Sequence, residues 1–172
     1  MSSGVNGVDN SGAGAVEAPV RTVTVVDGVR TVTEENPRCT MVSKGPEGEE
    51  VLKRVTLKKN GDVKHYTGER GREHFVRIYK FNGDVEHYWG DKGAERCHRL
   101  DRADGRVETY KGPTNGEWMT EEFVPGSRTV LYGGGRETSH KVLEIDHFTK
   151  QVNIHKRDGE GAATSSLLRK VE

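Results

Sequence analysis

Histidines, two cysteines and a set of arginines and tyrosines are the residues of this chain able to do chemistry, and their spacing decides what they can do. His65 and His87 stand one repeat apart, and His98 falls on their face. Imidazole is a good metal ligand. No cysteine or carboxylate recurs beside them at ligand spacing, however, and Thr109 stands where a third histidine would fall. No metal site is expected. Cys97 and His98 are adjacent, so on a strand they point to opposite faces and cannot act as nucleophile and base. Gly133-Gly134-Gly135-Arg136 has the glycines of a phosphate loop but lacks a following Lys-Ser/Thr, and no helix is expected after it. The acids fall in repeat columns rather than as a pair in contrasting environments. The expectation is a chain with no catalytic residue and no cofactor, hence not an enzyme.

Arginines and tyrosines make the stronger pattern. Arg54, Arg77 and Arg99 recur in one column, which Glu121 breaks; Tyr66, Tyr88, Tyr110 and Tyr132 recur in another. If Asn82-Gly83 and Asp104-Gly105 are two-residue loops, Arg77 lies opposite Tyr88 and Arg99 opposite Tyr110. A three-residue loop with a bulge at Lys59-Asn60-Gly61 then keeps Arg54 opposite Tyr66. A guanidinium over a ring contributes about 0.5–1 kcal/mol when exposed. Each Arg would also pair with a glutamate such as Glu86 or Glu108, stiffening the sheet. Arg and Tyr are enriched at interface hot spots. The set Arg54, Tyr66, Phe75, Arg77, Tyr88, Arg99, Tyr110 and Tyr132 is therefore the expected partner-binding surface.

Those columns need elements to hold them. GDVKHYTGERGRE at 61–73 is rewritten as GDVEHYWGDKGAE at 83–95, and such self-similarity is the signature of a repeat architecture. Units align on Gly61, Gly83 and Gly105, on the Tyr column, on Gly68, Gly90, Gly112 and Gly134, and on Glu50, Glu73, Glu95 and Glu117. The first strands read LKRVTLK, FVRIYKF, CHRLDRA and MTEEFVP; the fourth turn is Gly126-Ser127. In this register one face carries Val55, Ile78 and Leu100 with Val63, Val85 and Val107. The other carries Leu52, Phe75, Cys97 and Met119 with the Tyr and Arg columns. The N-terminal hairpin or the C-terminal segment is expected to cover the valine face.

Only 31% of the 172 residues are hydrophobic and 31% are charged, too little apolar material for a thick two-layer core. The fold expected is all-β: an elongated, single-layer, twisted antiparallel sheet of stacked β-hairpin repeats with a flexible N-terminal tail. Residues 1–19 are the tail, poor in anything to bury. Residues 20–37 form a hairpin, VRTVT on either side of Asp27-Gly28. Residues 38–137 are the tandem hairpins. Residues 138–172 are a degenerate hairpin, Lys141 to Ile145 with Gln151 to His155, and a cap.

Tyr-x-Gly columns (YTG, YWG, YKG, YGG) in units of 22 to 23 residues, with Asn-Gly or Asp-Gly about six residues earlier in the first three, resemble MORN repeats over roughly residues 38–137. The charged stretches GERGREH and GDKGAER stand where that family has a further Gly-x-Gly, and Trp89 follows a Tyr instead of taking the family's usual Trp position. The resemblance implies a single-layer hairpin array with an aromatic groove that includes Tyr66, Tyr88, Tyr110 and Tyr132. It also implies work in protein contact, scaffolding and sometimes membrane association. Net charge is zero, with 27 basic and 27 acidic residues, which argues against a dedicated nucleic-acid binder. The function expected is a non-enzymatic scaffold, adaptor or assembly subunit. It binds a protein partner, a helix or an extended peptide, along the Tyr/Arg face, or self-assembles through open sheet ends. The alternative is binding of anionic lipid headgroups or nucleic acid through the Arg/Lys columns, helped by Lys53, Lys58, Lys59 and Lys64. Two cysteines and no signal, transit or transmembrane pattern place the expected location in the cytoplasm.

Overall fold

The computed structural model describes residues 18–114, 116–157 and 163–170, with side chains through His155. Most of the expected tail therefore lies outside the described residues. The rest is one open antiparallel sheet in which the strands follow chain order. They are β1 (Val20–Val26), β2 (Val29–Glu35), β3 (Cys39–Gly45), β4 (Val51–Leu57), β5 (Val63–Thr67), β6 (His74–Tyr79) and β7 (Val85–Trp89). There follow β8 (Arg96–Asp101), β9 (Val107–Lys111), β10 (Trp118–Val124), β11 (Arg128–Gly133), β12 (His140–Asp146), β13 (Gln151–Arg157) and β14 (Ala163–Lys170). Each strand touches only its chain neighbours, so the sheet is a single layer. With 14 strands it extends roughly 60 Å across the strand direction. Among the described residues no helix is long and apolar enough to cross a membrane.

The N-terminal hairpin forms as the alternation predicts. Val26 pairs with Val29 around Asp27 (φ +49°) and Gly28 (φ +77°), the two positive dihedrals of a type I′ turn. Among the described residues the N-terminal hairpin and the C-terminal segment do not cover a face. β1, β2 and β14 extend the sheet in its own plane, each paired with its neighbour along the chain.

Within the repeats the turns differ from expectation, and every register argument changes with them. Lys80 N donates to Asp84 O (2.9 Å) and Gly83 N to Lys80 O (3.0 Å), which leaves three loop residues rather than two. The next unit repeats this, with Arg102 N on Arg106 O (2.8 Å) and Gly105 N on Arg102 O (2.9 Å). Before β5 the loop holds four residues, because Leu57 N bonds Asp62 O (2.9 Å). In the fourth unit Ser127 N reaches Val124 O (3.1 Å) around Pro125-Gly126, so the central pair is Pro-Gly rather than Gly-Ser. Asn60, Asn82 and Asp104 do not enter the positive-φ region. Their side chains instead accept from the backbone two residues on: Asp62 N (3.2 Å), Asp84 N (3.1 Å) and Arg106 N (3.0 Å). That Asx geometry builds a type I turn closed by a left-handed glycine, not type I′.

A second displacement occurs inside the strands. The ladders jump by one residue at Lys53, Val76, His98, Thr120 and Val142, a bulge in β4, β6, β8, β10 and β12. Longer turns and bulges together re-sort the faces. Arg54, Arg77 and Arg99 lie opposite His65, His87 and Thr109, not opposite tyrosines. Tyr66, Tyr88 and Tyr110 lie opposite Phe75, Cys97 and Met119. The tyrosine face therefore also carries Val55, Ile78 and Leu100, while Val63, Val85 and Val107 share the arginine face.

The thin core sits mainly on the tyrosine face. Val32, Val55, Ile78, Leu100 and Val130 are buried there, and Val42 is buried on the other face. One row alternates aliphatic and long charged residues: Val55, Lys64, Ile78, Glu86, Leu100, Glu108. The stems of the charged side chains cover the aliphatic ones between them, which is how a chain with few hydrophobic residues buries a core in one layer.

The repeated Gly-Asp of the doubled phrase joins one turn to the next. Asp62 Oδ1 accepts Phe81 N (3.1 Å), and Asp84 Oδ1 accepts Ala103 N (2.9 Å). The third unit has Arg106 in that column, and the next turn offers Pro125, which has no N–H to give. The same residues stack on the turn glycines: a Cβ on Gly61, Gly83 or Gly105 would meet Phe81, Ala103 or Pro125 at 3.1–3.4 Å. Asp62→Ala should cost at least about 1 kcal/mol, the bond from Phe81 N and that from Asn60 Nδ2 (3.0 Å) being lost together, while Arg106→Ala stays within about 0.5 kcal/mol of wild type. Urea melts of the two variants check this; equal losses would refute the clip.

Candidate functional site

The expected site residues divide between the faces. Tyr66, Phe75, Tyr88, Tyr110 and Tyr132 are half-buried on the tyrosine face, and Arg54, Arg77 and Arg99 are exposed on the other. No Arg–Tyr ladder exists. The glutamates expected to pair with those arginines instead accept the tyrosine hydroxyls: Tyr88 Oη donates to Glu86 Oε2 (2.8 Å) and Tyr110 Oη to Glu108 Oε2 (2.5 Å).

On the tyrosine face a continuous row of rings and sulfur runs across the strands. Tyr66 and Phe75 meet edge to face at 6.2 Å, and Phe75 and Tyr88 at 4.7 Å. Such pairs contribute about 0.5–1.5 kcal/mol beyond area. Lys64 Nζ lies 5.2 Å over the Phe75 ring. Further along, Cys97 and Met119 take the place of Phe75. Burial first, then the Glu86 carboxylate, pushes the Cys97 thiol up to about 11, which favours the neutral thiol, a small group that packs beside the rings. Burial and the bond to glutamate likewise raise Tyr88 and Tyr110 above the ordinary phenol value.

Beneath that row lies a charged cluster. Arg102 grips Glu108 with two bonds (Nε 2.9 Å, Nη2 3.0 Å) and Asp84 with a third (Nη1 3.1 Å). Burial would raise the Glu108 carboxyl, but the bonds from Arg102 and Tyr110 prevail and hold it below its usual value. Lys80 spans Asp62 (3.4 Å) and Glu86 (3.2 Å) in the same way one unit earlier.

On the arginine face His87 Nε2 meets Asp101 Oδ2 at 2.9 Å, and Arg99 Nε meets Asp101 Oδ1 at 2.6 Å. The His98 ring stacks against Trp89 at 4.9 Å with a 34° tilt, and Arg96 sits 5.5 Å from the Trp89 ring. Burial, then the neighbouring His87 and Arg99, lowers the His98 pKa. Cys97 and His98 do point to opposite faces. Gly133 ends β11 and the glycines after it lead into β12, not into a helix. Among the described residues no three of His, Cys, Asp and Glu are grouped to hold a metal ion.

The sequence reading missed Trp89, His98, Lys44 and Arg96 as neighbours of the arginine column. The bulge at His98 turns that ring onto the same face as Arg99. No residue type marks such a bulge, so no pattern could have revealed it. The chain matches no family model, and neither a curated protein nor a solved structure matches it.

Proposed function

We propose that this chain is a non-enzymatic β-hairpin-repeat scaffold that binds a protein partner, a helix or an extended peptide, along its tyrosine face. The observation behind this is the row Tyr66–Phe75–Tyr88–Cys97–Tyr110–Met119, half-buried and with no other described element packed over it. Aromatic area beside charged donors and acceptors is the composition of recognition surfaces. The row repeats at hairpin spacing, so one elongated partner can touch several units. The likeness to MORN repeats in the Tyr-x-Gly columns points the same way. To test this, wild type, Phe75→Ala/Tyr88→Ala and Lys64→Glu are used as bait in the native extract, with folding followed by circular dichroism. Loss of a partner from the folded Lys64→Glu or doubly substituted protein supports the proposal; an unchanged set of partners on both refutes it.

A second reading, assembly of copies end to end, is favoured by β1. Every residue of this edge strand is exposed, with Val20 and Val26 at 66% and Val25 at 63%. Edges so long and apolar invite pairing with another chain. Val26 and Val29 flank a type I′ turn and form a hydrogen-bonded pair, so the N–H groups of Val25 and Val23 point outward. Val23→Pro removes an outward donor without touching the β1–β2 ladder. Light scattering should show concentration-dependent growth of the wild type that Val23→Pro abolishes; growth unaffected by it would exclude β1 as the contact.

A further inference from the structure

Charge in this neutral chain is sorted between the two faces. Carboxylates of the tyrosine face, such as Glu86, Glu108, Glu122 and Glu144, are matched by cations beside them. On the arginine face three shallow grooves adjoin. The first is lined by Lys44, Lys53, Arg54 and His65. The second shares His65 and adds Arg77, Tyr79, His87, Trp89 and His98. The third shares Trp89 and His98 and adds Arg96 and Lys111. No aspartate or glutamate lines any of them. Asp101 lies beside the track, already held by His87 and Arg99. Among the described residues Arg54 and Arg77 have no carboxylate partner.

We propose that this track, crossing β3 to β9, binds a single-stranded nucleic acid. It runs about 30 Å across seven strands, and Arg54, Arg77 and Arg99 recur on alternate strands, about 10 Å apart. That is a row of cations for a polyanion backbone. Trp89 and Tyr79 stay 57% and 38% exposed within it, flat rings on which bases stack. A basic groove with interleaved aromatics on an open sheet is how sequence-tolerant single-strand binders work. A duplex hides its base faces and could use only the cations. A lipid surface would need apolar groups projecting from the sheet, whereas Trp89 lies against His98 and Arg96.

The test is fluorescence anisotropy of the full chain with a labelled oligouridylate of about 16 nucleotides, the upper end of single-module site sizes. Binding should weaken with salt, log K falling with log salt at a slope of about −2 or steeper for three phosphates neutralised on a single strand. Arg54→Gln/Arg77→Gln should weaken binding about tenfold and reduce the slope by about 1.4. Trp89→Ala should weaken it about tenfold with the slope unchanged. Lys141→Gln, on the tyrosine face, should alter neither. Circular dichroism verifies each fold, and Lys44→Gln/Lys53→Gln replaces the arginine pair if that pair misfolds. The proposal is overturned by absent or salt-insensitive binding, or by a duplex binding as tightly as the single strand. It is equally overturned if the protein binds phosphatidylinositol-phosphate vesicles and not the oligonucleotide.

Discussion

Arg102→Met is expected to destabilise the protein by about 3 kcal/mol, because it strips the counter-charge from a carboxylate that cannot reach water. Glu108 is 3% exposed and takes two of the three bonds Arg102 makes. Removing one partner of a buried pair costs about 3–5 kcal/mol, and the low end applies because the Arg102 side chain is itself 34% exposed. Arg102→Met/Glu108→Gln should recover the part of the loss that falls on Glu108, since a neutral amide needs no counter-charge and its oxygen still accepts from Tyr110, while Asp84, 7% exposed, still lacks the bond from Arg102. The signature is non-additivity, the mark of residues acting as one unit. The pH dependence has a definite sign. Arg102 helps hold the folded pKa of Glu108 below the ordinary 4.5, so the pair's contribution is present above that value and fades as pH falls through the lowered one. The cost of Arg102→Met should therefore shrink in acid. A variant within about 0.5 kcal/mol of wild type at neutral pH would show that the cluster is hydrated.

Gly90→Ala should cost about as much by a different route. Gly90 opens the connection from β7 to β8 with φ +113°, and a Cβ there would collide with the Ala94 carbonyl oxygen. That atom is backbone and cannot swing away. Strain of this kind plus the clash amounts to about 3 kcal/mol, or roughly 10 °C in Tm for a chain of this size. Gly93, in the same connection, has φ +82° and nothing within 4 Å of a built Cβ, so Gly93→Ala should cost only about 1 kcal/mol. Thermal melts of the two variants separate clash from dihedral strain. Equal losses would mean that the connection relaxes around the methyl group.

Sequence alone revealed the β class, the repeat and most strands, because alternation and turn glycines are written in residue types. Val20–Val26 and Val29–Glu35 pair as VRTVT around Asp-Gly predicts, and β12 and β13 lie where the degenerate hairpin was expected. What the sequence hid was register. Asn-Gly is compatible with a type I′ turn or with an Asx-built type I turn, and the choice moves every partner by one residue. The bulge residues Lys53, Val76, His98, Thr120 and Val142 have no residue type common to all five, so alternation reverses in mid-strand without a sign. Those two shifts turned an expected Arg–Tyr ladder into separate aromatic and basic faces. The role of Asp62 and Asp84 could have been found, since the column loses its aspartate at Arg106, where the next turn brings Pro125 instead of a donor.

The central claim, a protein partner on the tyrosine face, is tested most directly by site-specific photocrosslinking in the native extract. p-Benzoylphenylalanine is placed at Tyr88 in one protein and at Arg77 in another, positions on opposite faces of neighbouring strands. The account predicts a protein adduct from position 88 and none from position 77. Adducts from position 77 alone, or from neither position in a folded protein, would contradict it.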